Sequence, residues 1–287
     1  MSNVRVITDS SADLPADVAA ALGVDMVSLT IRFGDEEFTD RVDLSPDDFW
    51  ARCKASKVLP ETAAPSPGAF QGVYEAARDA GCDGAIVLTL SAALSATHQS
   101  ATLAADTVSG FAVRVVDTQA VSMAHGLMVI DVAERARDGA SLEDLTARAE
   151  EMRPRAGVCA MLDTLEHLVK GGRVGGARAL LGQMLSVKPL LELRDGLVAE
   201  AGRQRTRARA LNAICGVARS HEPLERLAVV HGAAPDLEPF LAMAAGIASD
   251  HPLVVSDIGP TVGTHAGPGI IGLCWVARSD PTGKISS

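Results

Sequence analysis

The strongest constraint on this chain is a rhythm in its first half, where short apolar runs alternate with helix-like segments. Residues 5–8 are apolar-rich and stop at Asp9-Ser10-Ser11, which predicts a strand and then a cap. A helix is expected from Asp13-Leu14-Pro15 to about residue 22, because an early proline lacks only an N–H that would go unpaired. Residues 24–33 and 37–39 flank Gly34-Asp35 and predict a hairpin. Ser45-Pro46 and Ser66-Pro67 each offer a capping hydroxyl followed by a first-position proline, and so open helices. Residues 85–90 form a nearly continuous apolar run, as in a strand buried on both faces of a parallel sheet. A helix at 97–107, a strand at 112–116 and helices at 122–137 and 141–151 continue the alternation, which implies an α/β layer architecture.

Pro154 interrupts this pattern. It divides the chain into an expected N-terminal α/β domain with a parallel sheet, residues 1–154, and a C-terminal α+β domain with a mixed sheet, residues 155–287. Two domains suit 287 residues. In the second part, strands are expected at 157–163, 187–193 and 197–200, the last two joined by a turn at Arg194-Asp195-Gly196. A basic helix at 206–219, a strand at 227–231, a helix at 235–249 and strands around Val254 and Cys274 follow, with a polar tail at 279–287.

Composition narrows the function. Aromatic residues are only 3% of the chain, too few for the stacking platforms that bind single-stranded nucleic acid. The net charge of −10 opposes binding to nucleic-acid backbones and anionic lipid surfaces. Neither long uncharged stretch, 84–105 nor 258–277, supplies the roughly 20 mainly apolar residues of a membrane span. The N-terminus reaches Asp9 too soon for a signal peptide. Five widely spaced cysteines lack any Cys-x-x-Cys pair and read as free thiols in a reducing cytoplasm, so a cytoplasmic protein is expected.

The motifs leave several readings open. Gly267-Pro-Gly269-Ile-Ile-Gly272 matches a dinucleotide fingerprint in letters only: a strand, not a helix, should follow it, and fifteen residues remain before the C-terminus. What survives is a Gly-rich loop that presents His265 and backbone N–H groups, suited to an anion. Residues 89–100, TLSAALSATHQS, place several hydroxyls where the most buried strand ends and a helix begins. Ser91 or Ser95 could simply cap that helix, but a carboxyl end of a parallel strand is also where ligands bind. Thr62 has no capping role and is free to face a ligand. Gly171-Gly172 and Gly175-Gly176 bracket Arg173-Val174, read as a flexible turn, and Arg203, Arg205, Arg207 and Arg209 form a basic patch, either solvated or docking an acidic partner. No G-x-S-x-G, no H-E-x-x-H and no zinc-type spacing occurs, so no metal site and no self-sufficient catalytic set is expected. An enzyme acting on a small substrate through Asp9, Ser10 and His265 remains the alternative, and a lipid-sensing regulatory module a third reading.

Taken in order, VITDSSADLP, ETAAPSPGAF, LTLSAALSATHQSA, VVDTQAVSMAHG, DTLEHLVKGGRV, residues 185–198, GRQRTRARAL and HAGPGIIG resemble the DegV family over nearly the whole chain. The resemblance implies a two-domain α/β protein that holds a long-chain fatty acid, such as palmitate or oleate, between its domains and needs no cofactor. It further implies a carrier without catalytic residues, which presents the carboxylate to a partner fatty acid kinase for conversion to acyl phosphate, with room for transient contact with a membrane surface. By the same resemblance Thr62 and Ser95 bind the carboxylate. His265, Ser91 and Gly267 lie near the head group, and Arg173 and Arg205 mark a portal or kinase contact. Ala63, Ala92 and Ala96 stand where the family pattern has Ser, Ser and Gly.

Overall fold

The computed structural model describes residues 2–180 and 187–279, and within residues 178–180 the backbone only. The chain runs β1 (Val4–Asp9), α1 (Ala16–Leu22), β2 (Asp25–Val27), β3 (Thr30–Phe33), β4 (Glu36–Thr39), α2 (Pro46–Ala55), β5 (Glu61–Ala63), α3 (Pro67–Asp79), β6 (Gly84–Thr89), α4 (Thr97–Ala105), β7 (Ala112–Asp117), α5 (Met123–Arg137) and α6 (Leu142–Met152). A 3-10 turn, Arg153–Arg155, then leads into β8 (Ala156–Met161), α7 (Glu166–Lys170), β9 (Lys188–Arg194), β10 (Leu197–Gln204), α8 (Arg207–Arg219), β11 (Leu224–His231), α9 (Leu237–Ala244), β12 (Val254–Asp257), α10 (Pro260–Ala266) and β13 (Ile271–Ala277).

These elements form an α/β fold on three sheets. The first is parallel, in the order β2-β1-β6-β7, and the second is mixed, in the order β10-β9-β8-β13-β11-β12. A small antiparallel sheet, β4-β3-β5, sits beside them. The expected capping holds: Ser45 and Ser66 accept hydrogen bonds from the N–H groups of Asp48 and Ala69 and start α2 and α3.

Four expectations are corrected. Residues 24–33 are two strands in different sheets: β2 pairs with β1, and β3 pairs with β4 and β5. The chain turns between them at Leu29, whose N–H donates to Ser10 Oγ at 3.1 Å. Apolar patterning marks both strands but is silent about which sheet each joins. The turn-rich link at 61–68 contains β5, with Thr62 opposite Ile31. The helix expected at 235–249 ends at Ala244. His265 lies in the last turn of α10 and not in a Gly-rich loop. The polar tail from residue 280 onward and residues 185–186 of the motif segment lie outside the described residues.

Helix α5 joins the layers. Eleven consecutive residues, from Met123 to Ala133, are buried, so this mostly apolar helix needs cover on both sides. It packs on β1 and β6 of the parallel sheet and on β8, β11 and β13 of the mixed one. One apolar cluster runs through it, from Val6 and Ile86 to Ala160 and Val230. Polar ties reinforce the junction: Asp13 accepts from Arg41 at 2.9 Å, Ser122 at 2.6 Å and the Gly259 N–H at 2.9 Å. The last bond anchors the residue that precedes α10. Further out, Asp131 of α5 accepts from Arg148 of α6 and pairs with Arg226 of β11.

Because α5 is pressed between sheets, its small residues carry weight. A Cβ on Gly126 would lie 2.5 Å from the Ala12 carbonyl oxygen and 2.9 Å from Met123 Sδ. Gly126→Ala should therefore destabilise the protein by about 1–3 kcal/mol through overpacking. Leu127→Ala, at a fully buried site, should cost about 2–5 kcal/mol. Urea unfolding checks both, with exposed Leu197→Ala expected to stay within about 0.5 kcal/mol of the parent.

Candidate functional site

In open parallel sheets the crevice that accepts ligands lies at the carboxyl ends of the strands, where the strand order reverses. Here that point is β1 and β6, adjacent in space but far apart in sequence. A cavity lies at this place. The parallel-sheet side contributes Leu29, Leu90, Leu94, Ser95, Val121 and Ser122, all just beyond strand ends. The mixed sheet supplies the opposite wall, with Val158, Ala160, Leu191, Leu193 and Val198, and α10 closes one end with Thr261, Val262 and His265. The cavity thus lies between the two sheets, and its lining is predominantly aliphatic.

Polar groups gather at one end. Thr62 Oγ1 and His265 Nε2 are hydrogen-bonded at 2.9 Å, although 203 residues separate them. Thr62 reaches this point because β5 adds to the small sheet, and His265 because α10 packs on α7. Arg173 lines the same end, its Nε donating to Leu94 O at 3.0 Å and its Nη1 to Gly171 O at 2.5 Å. Ser95 completes the group; its Oγ bonds Thr97 Oγ1 at 2.9 Å and accepts from the Thr97 N–H at 3.3 Å. Ser95 therefore both trims the start of α4 and faces the cavity.

Burial dominates the electrostatics. It pulls the His265 imidazole down to about 4, and the nearby charges of Arg173 and His167 act in the same direction. His265 is consequently neutral near pH 7, and the guanidinium of Arg173 is the cation among the lining residues. His265 Nδ1 is buried without a hydrogen-bond partner. It faces Gly171, where an added Cβ would come within 2.2 Å of it. The relation is reciprocal, since a Cβ on Gly267 would lie 2.8 Å from the His167 ring, whose Nδ1 bonds Thr264 O at 3.0 Å. Gly171 and Gly267 hold the two rings in place by having no side chains.

The structure thus brings Thr62, Ser95, His265 and Arg173 together at one end of one cavity. Ser91 lies outside its lining: its hydroxyl donates to Gly196 O at 2.7 Å and ties the loop after β6 to the β9–β10 turn. Gly267 acts on His167. Arg205 is exposed just before α8, at the end of β10, the strand that gives Val198 to the cavity wall, and is not itself part of the lining. Of the basic patch, Arg207 is held by Asp236, Asp163 and the Gly269 carbonyl, and Arg203 pairs with Glu200. Asp9 and Ser10 do not line the cavity. Both Asp9 carboxylate oxygens accept bonds, from Ser11 and from the Leu90 N–H, and Ser10 Oγ receives the Leu29 N–H. Sequence reading missed Thr261, which donates to buried Asp40, and Gly171; the close Gly171-Gly172 pair before Arg173 was the available signal. All five cysteines are free, and among the described residues no His/Cys/Asp/Glu cluster could hold a metal and no helix is long and apolar enough to cross a membrane.

A depressed histidine has a stability consequence of definite sign. The unfolded chain takes up a proton near the usual imidazole value of about 6.5, which the folded state refuses until about 4. The stability contributed by neutral, buried His265 is therefore present above pH 6.5 and is lost as the pH falls towards 4. Relative to His265→Asn, which cannot titrate, the parent should lose stability between pH 6.5 and 4, as thermal unfolding at a series of pH values will register.

Comparison with known proteins adds to this geometry. A family model described as "Uncharacterised protein, DegV family" matches residues 3–278. A DegV domain-containing protein of Streptomyces coelicolor is 34% identical over 284 residues, covering 96% of this chain and 99% of its own length. A solved structure from Thermus thermophilus, described as fatty acid binding of a DegV family protein, is 34% identical with a TM-score of 0.88 and covers 96% of this chain and 100% of its own. A solved DegV from Bacillus subtilis, described as a fatty acid binding protein, is 29% identical with a TM-score of 0.85, covering 97% and 100%.

Proposed function

We propose, for a chain that belongs to the DegV family, that the cavity between the sheets holds a long-chain fatty acid, its carboxylate at the Thr62–Ser95–His265–Arg173 end. The observation that carries this reading is the polarity of one cavity: mostly aliphatic along its length, with Thr62, Ser95, neutral His265 and the Arg173 guanidinium at one end, while Glu192, a carboxylate of the lining, is paired with Arg194. Solved relatives described as fatty acid binding support it.

The energetics are favourable. A sixteen-carbon chain has about 14 methylenes, and at about 0.8 kcal/mol each their burial contributes on the order of 11 kcal/mol before the costs of association. The head group then fixes orientation. An unpaired carboxylate in so apolar a cavity would be costly and would hold on to its proton. Each charge-assisted hydrogen bond from Thr62 or Ser95 offsets about 1.5–3 kcal/mol of that cost. Neutral His265 adds to this: with its proton on Nε2 it donates to Thr62 Oγ1, which leaves the threonine proton free to point at the carboxylate. Arg173 supplies the countercharge from the cavity wall.

The finer reading is that of a cytoplasmic carrier without chemistry of its own, whose N-terminal unit, residues 1–154, carries the hydroxyls and whose remainder covers the acyl tail. It presents the carboxylate to a partner fatty acid kinase for phosphorylation to acyl phosphate, with exposed Arg205 at the contact.

Extraction of the purified protein followed by mass spectrometry should reveal a bound fatty acid, and the delipidated protein should bind palmitate. Absence of both would overturn the reading. Thr62→Ala and Ser95→Ala should each weaken palmitate binding by about tenfold, the equivalent of about 1.4 kcal/mol. In a reconstituted assay with a fatty acid kinase and ATP, Arg205→Glu should lower the rate of acyl phosphate formation while leaving palmitate affinity unchanged; an unaltered rate removes Arg205 from the contact.

A further inference from the structure

A second cavity lies beyond the far end of the first. The two share two lining residues, Val158 of β8 and Leu193 of β9, which sit side by side in the register that pairs Cys159 with Glu192. Side chains alternate along a strand, so the row running from Leu162 through Ala160 to Val158 faces the first cavity, and Ala156 continues it into the second. The neighbouring row runs from Leu191 through Leu193 to Asp195. One continuous floor therefore underlies both spaces, and its character changes from aliphatic to polar at a partition formed by Val158 and Leu193.

Distance along this floor matters. Leu162 leads into α7, the helix against which His265 packs, so it marks the polar end of the first cavity. At about 3.3 Å per residue, Val158 lies about 13 Å further along and Ala156 about 20 Å. A long acyl chain anchored at Thr62 follows this floor towards the partition, and anything attached to its far end points at the second cavity.

What waits there is a cation. Arg153 lines the second cavity, has no ion pair among the described residues, and its Nε is buried without a hydrogen-bond partner. Buried donors are ordinarily satisfied, so an unpaired guanidinium nitrogen beside a polar cavity calls for an acceptor. The Gln119 side chain and the Gly157 backbone add polar lining. The acid of the set, Asp195, is exposed at the tip of the β9–β10 turn.

We propose that this second cavity is a distal subsite for acyl chains that carry a carboxylate at both ends, with Arg153 as the recognising group for the second carboxylate. The inference rests on the reading of the first cavity as a fatty-acid site. It gives the protein a ligand class beyond simple fatty acids, α,ω-dicarboxylic acids, and assigns Val158 and Leu193 as the gate between chain and distal group.

Octadecanedioic acid and stearic acid, equal in chain length, test this by titration of the delipidated protein. The diacid should bind within about tenfold of stearate. Arg153→Gln should weaken the diacid by about tenfold, the scale of a charge-assisted hydrogen bond, and leave stearate unchanged. Leu193→Ala, which thins the partition, should strengthen diacid binding relative to stearate. If stearate binds while the ratio of the two affinities is indifferent to both substitutions, the distal subsite is overturned and the fatty-acid reading stands. If neither acid binds, both are overturned.

Discussion

Everything in this molecule depends on covering a helix that is buried on every side for most of its length. Helix α5 is buried on all sides over eleven residues, and neither sheet alone can hide it. The parallel sheet takes one side and the mixed sheet the other, so the two halves of the chain share a single apolar cluster. That sandwich also creates the cavity. Beyond the N-terminal end of α5, at Val121 and Ser122, the space between the sheets is lined by aliphatic side chains from both of them.

The polar end of the cavity follows a second physical rule, that buried charge is kept to a minimum. Burial makes His265 neutral, and Thr62 and Ser95 are hydroxyls, so Arg173 is the cation in the lining, steadied by two backbone carbonyls. Backbone without side chains does the positioning: Gly171 gives His265 its place and Gly267 gives His167 its own. Asp13, whose carboxyl burial pushes up to about 6 despite Arg41, ties α10 to the first half through Gly259 and so keeps His265 opposite Thr62.

Much of this was legible in the chain, for reasons that differ by residue. Strands and helices of the first half announce themselves because caps such as Ser45 and Ser66 and the run at 85–90 are local signals. The single expected strand at 24–33 was in truth two, because the turn at Leu29 is stabilised by Ser10, nineteen residues away. Ser91 and Ser95 looked alike as loop hydroxyls. Only the docked β9–β10 turn, whose Gly196 carbonyl accepts from Ser91, tells them apart. Arg207 and Arg205 looked alike as members of a basic patch, until Asp163 and Asp236 arrived from distant segments to hold the first.

The sequence by itself determined the layer class, the parallel character of the first sheet, the absence of familiar catalytic motifs and, through ordered motifs, the family. Those properties are carried by neighbours along the chain, where periodicity, caps and spacing act. Tertiary structure alone decided that Thr62 meets His265, that Arg173 stands in the cavity wall beside them, and that the aliphatic floor turns polar past Val158 and Leu193. These are contacts between residues far apart in sequence. They form only when two sheets close on one helix, and burial then sets their charge states in a way that no local pattern encodes.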